Sequence, residues 1–526
     1  MNIGKQPQRP IKLKEHLMLD FTNLAKNALE NDPYKSAIII NNQQISYREF
    51  EKMVEKHASC LAAHDLSKGD RVGLMSHNHQ DLAALLFAVW RIGCIAVPLN
   101  YRYKSPEVEY ALSHCNVGLV IIQDKLAEGL SATFKAPECT KHCYTLEKGV
   151  ASVGTPWQLE AAKSHPPATA NPPKGNDPAA IYFTSGSTSK PKGVTHTAKS
   201  IIETGRSRAE TLKLDNDDIW LLSTQLVHVS ASLGSLIPAM LIGGTVVFLE
   251  EFKPEDWLAA FKQHSPTRSV ILPSLLHDIL SCPLIQEVDL GSIRSMECGG
   301  DYVTPHLYSA WQKVSSEPLT QLIGMTECEG YSLRHPGDPV KQGSAGRPRS
   351  GVEVSIRDSA GKELPTGETG ELCIRSSSMT IGYWQDPEHT EQTIRNGWLY
   401  SGDQGRIDEE GSLWFIGRFK EIIIKRGSNI APGEVESILD NHSKISETAV
   451  VGTPPGVHGQ RVVAFVETMG DEIVEIKTLK EWAANHIADY KIPDEWILVK
   501  TLPRNAVGKL DRAELHRRSK EMFPDG

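Results

Sequence analysis

Apolar residues along this chain fall into two alternating kinds of run. Short blocks of strand length recur at Ser36–Ile40, Arg71–Met75, Cys94–Pro98, Gly118–Ile122 and Ala179–Phe183. Between them lie longer stretches whose apolar positions return every three or four residues. Ser46 opens one helical stretch that runs through Leu61 with Tyr47 and Phe50 on one face; others run from about Gln80 to Ile92 and around Pro106–Cys115. Strands alternating with helices in this way predict parallel sheets covered by helices. Lys163–Lys174, KSHPPATANPPK, is Pro-rich and reads as an exposed connector within the large unit. From about Gly411 the elements shorten, and a separate αβ pattern follows Gly417–Lys420. It has strands at Ala449–Val451 and Val462–Val466, a helix at Leu479–His486 and a basic tail from Arg504. The division this implies is residues 1–419 and residues 420–526.

Composition narrows the function classes. The chain has 526 residues, more than one ordinary core accommodates, so two or more domains are expected. A net charge of −9 argues against a nucleic-acid partner, which usually meets a basic field. No apolar run approaches the roughly 20 residues that span a bilayer. The N-terminal MNIGKQPQRPIKLKEH has basic residues with no apolar core behind them, so no secretory signal is read and a cytoplasmic location is expected. Nine cysteines form no framework; Cys139 and Cys143 bracket His142, but no second pair follows at zinc-site spacing, so free thiols are expected. His77 and His79, in SHNHQ, read as surface residues. The chain has no H-E-x-x-H, G-x-S-x-G or G-x-G-x-x-G, which removes zincins, serine hydrolases and the dinucleotide fingerprint.

The densest chemistry lies at Ile181–Thr197, IYFTSGSTSKPKGVTHT. A strand empties into hydroxyls and glycine, then Lys190 and Lys192, and such a loop can wrap a polyphosphate with backbone N–H groups while a lysine adds a point charge. It carries no Walker A spacing. Further along come MECGGD (Met296–Asp301), GMTE (Gly324–Glu327) after a strand candidate at Leu319–Ile323, and YSGD (Tyr400–Asp403). GRFKE follows with Arg418 and Lys420, then GSNIAP (Gly427–Pro432) and LPRNAVGKLDR (Leu502–Arg512). His228 sits in LVHVSAS, where it reads either as a buried core histidine or as part of a site.

In this order the motifs resemble those of the acyl-adenylate-forming (AMP-binding) enzymes, of the acyl-CoA synthetase or carboxylate–CoA ligase type, and the resemblance runs from about Lys12 to Arg518. It implies an α/β fold. The large N-terminal region of helix-covered, mostly parallel sheets would carry a β-rich subdomain, and a small mobile α+β C-terminal domain would carry the catalytic lysine. By resemblance Thr184, Ser185, Gly186, Ser187, Thr188 and Lys192 hold the ATP phosphates. Gly299, Gly300, Asp301, Ile323, Gly324 and Met325 approach the nucleotide, Thr326 contacts it, and Glu327 holds magnesium on its phosphates. Asp403 would accept from both ribose hydroxyls with Arg418 beside it, Lys509 would reach the α-phosphate and the acyl oxygen, and His228 would gate the acyl pocket. Lys420 matches the hinge, and Gly427, Ser428 and Asn429 match the path of CoA. Three positions depart from the family pattern: Ser189 for glycine, Gln225 for proline before the gate, and Ile323 for an aromatic on adenine.

The function so implied is ATP-dependent activation of a carboxylic acid as acyl-AMP, with Mg²⁺ and pyrophosphate release, followed by thioester formation with CoA. No aspartate near His228 would grip an α-ammonium, and the small residues of Ser230–Ser235 leave room for a fatty or aryl tail. Two alternatives stay open: loading of an acyl carrier protein's phosphopantetheine, and a nucleotide-binding sensor without catalysis. The expected assembly is a monomer or homodimer, with no membrane span and no nucleic acid.

Overall fold

The computed structural model describes residue 21 and residues 25–130, 134–163, 165–184, 191–301, 303–425, 428–454, 460–470, 474–487, 489–505 and 508–524. Ser185, Gly186, Ser187, Thr188, Ser189 and Gly427 therefore lie outside the described residues.

Two large sheets form the body. One orders its strands Arg347–Pro348, Cys328–Leu333, Leu319–Met325, Ser295–Gly299, Arg268–Ile271, Ile219–Leu222, Thr245–Phe248, Ser36–Ile40 and Gln43–Ser46. Its interior, from Leu319–Met325 to Ser36–Ile40, is parallel, and antiparallel strands close both edges. The other places Gly382–Tyr383, Lys192–Thr197, Pro178–Thr184, Ile95–Pro98, Arg71–Met75, Leu119–Ile122, His142–Thr145 and Thr155–Pro156 side by side. It is parallel except for the Pro178–Thr184/Lys192–Thr197 hairpin and the short Gly382–Tyr383 edge. A third, antiparallel sheet contains Val352–Arg357, Gly370–Ser376, Trp398–Ile407, Ile394–Arg395 and Leu413–Arg418, and it is the β-rich part. Beyond a short 3₁₀ turn, Phe419–Glu421, come a two-stranded ribbon and a three-stranded sheet, Ile445–Gly452, Val462–Thr468 and Glu495–Val499, with helices Pro432–Leu439, Ile476–His486 and Arg512–Met522.

The elements form for local reasons that the pattern had shown. Helix Tyr47–Ala62 starts at a capping box between Ser46 and Glu49, a device worth about 1 kcal/mol, and buries Tyr47, Phe50, Val54, Ala58 and Leu61 on one face. Helix Gln80–Arg91 is buried without interruption from Leu82 to Trp90, as a helix enclosed on all sides must be. Its Trp90 indole N–H donates to the Ala179 carbonyl (2.9 Å), fixing the helix to the strand that ends at Thr184. The Lys163–Lys174 connector carries no regular element among its described residues, and all nine cysteines are free thiols. No helix among the described residues is long and apolar enough to cross a membrane.

One sequence reading is corrected here. His77 is buried, not a surface residue: its Nδ1–H donates to Gln123 Oε1 (3.0 Å) and its Nε2 lies 3.6 Å from Glu251. His79 caps helix Gln80–Arg91 by accepting from the Asp81 N–H (3.2 Å). Both sets of partners depend on backbone turns and neighbouring elements.

Candidate active site

The loop that resembles a phosphate cradle is held by an antiparallel hairpin whose last pair is Thr184 opposite Lys192. The Lys192 ammonium lies 5.2 Å from the centre of the Tyr383 ring, a cation–π distance. The Tyr383 hydroxyl donates to Glu327 Oε1 (2.7 Å), so the loop's flank and the GMTE carboxylate meet through one tyrosine. Burial, and then the negative charge of Glu327, raise the Tyr383 phenol well above its ordinary range, which keeps it a donor. Backbone contacts complete the placement of GMTE. The Glu327 carbonyl accepts from the Thr380 N–H (2.7 Å), and the Thr326 carbonyl accepts from His196 Nε2 (2.8 Å). His196 is fully buried, and burial lowers its pKa to about 4, so a neutral ring donates through Nε2 while Nδ1 faces Ser200 Oγ (3.2 Å).

Asp403 and Arg418 are cross-strand partners on Trp398–Ile407 and Leu413–Arg418, with Arg418 Nε 3.1 Å from Asp403 Oδ1. Asp403 is only 5% exposed. Burial pushes its carboxyl up to about 6, against the pull of Arg418, and Glu421 and Glu327 add to the rise. Its Oδ1 is buried and, among the described residues, makes no hydrogen bond despite the ion pair, so the carboxylate keeps accepting capacity toward a hydroxyl.

Lys509 reaches this group from the C-terminal region. Its Cε and Nζ lie 3.5 and 3.6 Å from where a Cβ on Gly300 would stand. The loop carrying it is braced internally: the Asn505 N–H donates to the Lys509 carbonyl (2.7 Å), and the Lys509 N–H donates to Asn505 Oδ1 (3.1 Å). Among the described residues, hydrogen bonds tie it to the body: the Leu510 N–H donates to Asp301 Oδ2 (2.9 Å), and the Ser274 hydroxyl donates to the Gly508 carbonyl (3.0 Å). Burial lowers the Lys509 pKa; Asp301 opposes this most strongly, Arg418 adds to it and Asp403 opposes it. His228 faces the same charge. Burial first, then Lys509 and Arg102, lower its pKa to about 4, so it is neutral at pH 7.

Several residues chosen from sequence have different immediate surroundings. A Cβ on Gly299 would stand 2.2 Å from the Leu322 carbonyl, so strand packing already requires glycine there, and Gly300 takes φ +84°. Ile323 packs with Cys328, Tyr331 and Val352 in an apolar core shared with the antiparallel sheet. Gln225 ties two segments together: its Oε1 accepts from the Asn78 N–H (2.6 Å) and its Nε2 donates to the Glu250 carbonyl (3.0 Å). Ser428 and Asn429 sit opposite Lys425 and Ile424 in the ribbon Ile423–Lys425/Ser428–Ile430. Lys420 lies in the turn Phe419–Glu421.

Among the small residues after His228, Gly234 has no open space beside it. Ser232–Leu236 is a buried π-helical turn, and a Cβ on Gly234 would stand 2.4 Å from Glu329 Oε1. The Ser232 hydroxyl also meets the Tyr182 hydroxyl at 2.8 Å. Glu329 belongs to a buried charge cluster with Arg208, which lies 2.8 Å from Glu297 and 3.7 Å from Glu329. Tyr383, His196, Ser274 and Glu329 were not singled out from the sequence. None stands in a motif with the residue it serves, and only the fold brings them there.

Comparison with known proteins identifies the family and the fold. Residues 25–384 match the model of the AMP-binding enzyme family, and residues 434–509 match that of the AMP-binding enzyme C-terminal domain. The chain is 30% identical over 498 residues to an indoleacetate–CoA ligase of Aromatoleum aromaticum, covering 92% of this chain and 95% of that relative. It is 27% identical over 500 residues to a fatty acid–[acyl-carrier-protein] ligase of Streptomyces coeruleorubidus, covering 93% and 94%. Among solved structures, an anthranilate–CoA ligase in complex with anthranoyl-AMP superposes with a TM-score of 0.89 at 24% identity, covering 96% of this chain and 98% of that one.

Proposed function

The chain belongs to the AMP-binding enzyme family and is an AMP-forming acid–thiol ligase, and from that premise we propose that it activates a compact aromatic or short-chain carboxylic acid and transfers the acyl group to CoA. In the first step a carboxylate oxygen attacks the α-phosphorus of ATP, the α–β phosphoanhydride bond breaks, and pyrophosphate leaves. In the second the CoA sulfur attacks the acyl carbonyl, the bond to the AMP oxygen breaks, and the thiol proton passes to solvent.

The observation that supports this most is the convergence of Lys509, Asp403, Arg418 and Glu327. These charges come from three parts of the chain, and each perturbs another in this group. Asp403, ionised at neutral pH, accepts the ribose hydroxyls beside Arg418. Thr184, Lys192 and the loop between them bind the phosphates, and Gly299, Gly300, Gly324, Met325 and Thr326 border the nucleotide. Lys509 places its charge where negative charge grows at the α-phosphate and acyl oxygen. The neutral His228 borders the acyl group. The donor set fits magnesium, which takes one or two carboxylates and fills the rest of its octahedron with phosphate and water oxygens. Glu327 would supply that carboxylate, and the ion when bound neutralises phosphate charge. Residues 420–526 turn about Lys420 between the steps, and Ser428 and Asn429 then border the thiol path.

The reading of a compact acid is supported by Gly234, whose side without a Cβ is filled by Glu329. Among the relatives, indoleacetate–CoA ligase is named for an aryl acid of that kind, whereas the Streptomyces coeruleorubidus relative is named for fatty acids. Pyrophosphate release over a panel of aryl, short-chain and long-chain acids tests this, with CoA and a phosphopantetheinylated carrier protein as alternative acceptors. Turnover is expected with aryl or short acids and free CoA. Turnover confined to long-chain acids would overturn the acid assignment, and thioester formed only on the carrier would overturn the acceptor.

A further inference from the structure

We infer that Asp301 is a positioning residue that latches the Lys509 loop onto the body for the adenylation step and releases it for the thiol step. The inference rests on the reading of Lys509 given above. Asp301 stands next to Gly300, against which the Lys509 side chain lies, and its Oδ2 accepts from the N–H of Leu510, the residue after the lysine (2.9 Å). One carboxylate thus grips the loop backbone and faces the lysine's charge. This grip and the Ser274–Gly508 hydrogen bond run between the two regions, whereas other bracing lies within the C-terminal one. Arg512 holds Glu436 (2.8 Å), Glu421 (3.3 Å) and the Val450 carbonyl (3.1 Å), and Arg504 pairs with Glu447. Rotation about residue 420 carries all of those contacts along together. It must break Asp301–Leu510 and Ser274–Gly508, because Asp301 and Ser274 stay with the body.

The charges facing Lys509 set what a change at 301 does. Asp301 and Asp403 favour the ammonium, Arg418 disfavours it, and His228 is neutral at pH 7. Asp301 is the strongest of the favouring charges, so its removal lowers the lysine pKa. The protonated lysine is the active form, and its activity is lost as pH rises through that pKa. Removing Asp301's charge therefore moves the alkaline limb of adenylation to lower pH.

The test measures the two half-reactions of the full-length enzyme separately. Adenylation is read as acid-dependent pyrophosphate release, and the thiol step as thioester formed from preformed acyl-adenylate and CoA. Asp301→Ala is expected to lower kcat for adenylation by about 10–100-fold, the range for one lost hydrogen bond to a charged group, with the ATP KM and the thiol step near wild type. Asp301→Asn keeps an oxygen for the Leu510 N–H but not the charge, so it should recover most of kcat while showing the shifted alkaline limb. Ser274→Ala, which removes the other tie, should slow adenylation in the same direction by less. A raised ATP KM with unchanged kcat would instead make Asp301 a nucleotide contact, and equal slowing of both steps would make it merely structural; either overturns the latch. If Lys509→Ala leaves adenylation intact while Asp301→Ala slows it, the reading of Lys509 fails and the latch does not.

Discussion

Lys509→Ala is expected to slow acyl-adenylate formation by ~10²–10³-fold while leaving the thiol step near the wild-type rate. The first figure is the range for losing one preorganised charge-stabilising donor. In this structure Lys509 is seated on Gly300 beside Asp301, with Asp403 and Arg418 near enough to act on its charge. Such an arrangement serves a reaction in which negative charge grows at a fixed place. The thiol step needs the CoA path opened, and in the proposed rotation the lysine has left by then. Single-turnover pyrophosphate release, set against thioester formation from supplied adenylate, separates the two. Equal loss in both would contradict a role confined to adenylation.

Glu327→Gln is expected to weaken the affinity for Mg²⁺ in the ATP complex by about 10–100-fold or more, since even the outer-shell partners of a metal ligand cost that much. Glutamine keeps the volume and can still accept from the Tyr383 hydroxyl, which now donates to Glu327 Oε1. The loss would therefore report the missing charge, not a collapsed site. Titrating Mg²⁺ against nucleotide affinity should show a midpoint moved upward, with saturation partly restoring binding. An unmoved midpoint would remove Glu327 as the ligand. Tyr383→Phe should produce a smaller shift in the same direction, because it frees the carboxylate from its brace.

Much of this was legible in the chain because its strands and helices announce themselves locally. Ser46 and Glu49 mark a helix start by their spacing, and Ser36–Ile40 and Arg71–Met75 are strands with the bounds their apolar runs suggest. The motifs were legible for a similar reason: a loop between two strands, or a carboxylate after one, is contiguous in sequence. What failed to show was pairing across distance. His77 looked like a surface residue until Gln123 and Glu251, from other segments, closed over it. At Gly234, within Ser230–Ser235, Glu329 fills the side where the glycine has no Cβ, a packing partner that nothing nearby in sequence signals. The Asp301–Leu510 contact joins residues over 200 positions apart, and no pattern near either end signals it. Gly299 shows the converse. Its glycine was read as access for a base, while the Leu322 carbonyl already forbids any side chain there.

The central claim, an acid- and thiol-dependent ligase that cleaves ATP between the α- and β-phosphates, is most directly tested by following α-labelled ATP with an aryl acid and CoA. AMP, pyrophosphate and acyl-CoA should appear in equal amounts, with acyl-AMP accumulating when CoA is withheld. Labelled ADP as the product, or AMP released at the same rate without the acid, would contradict it.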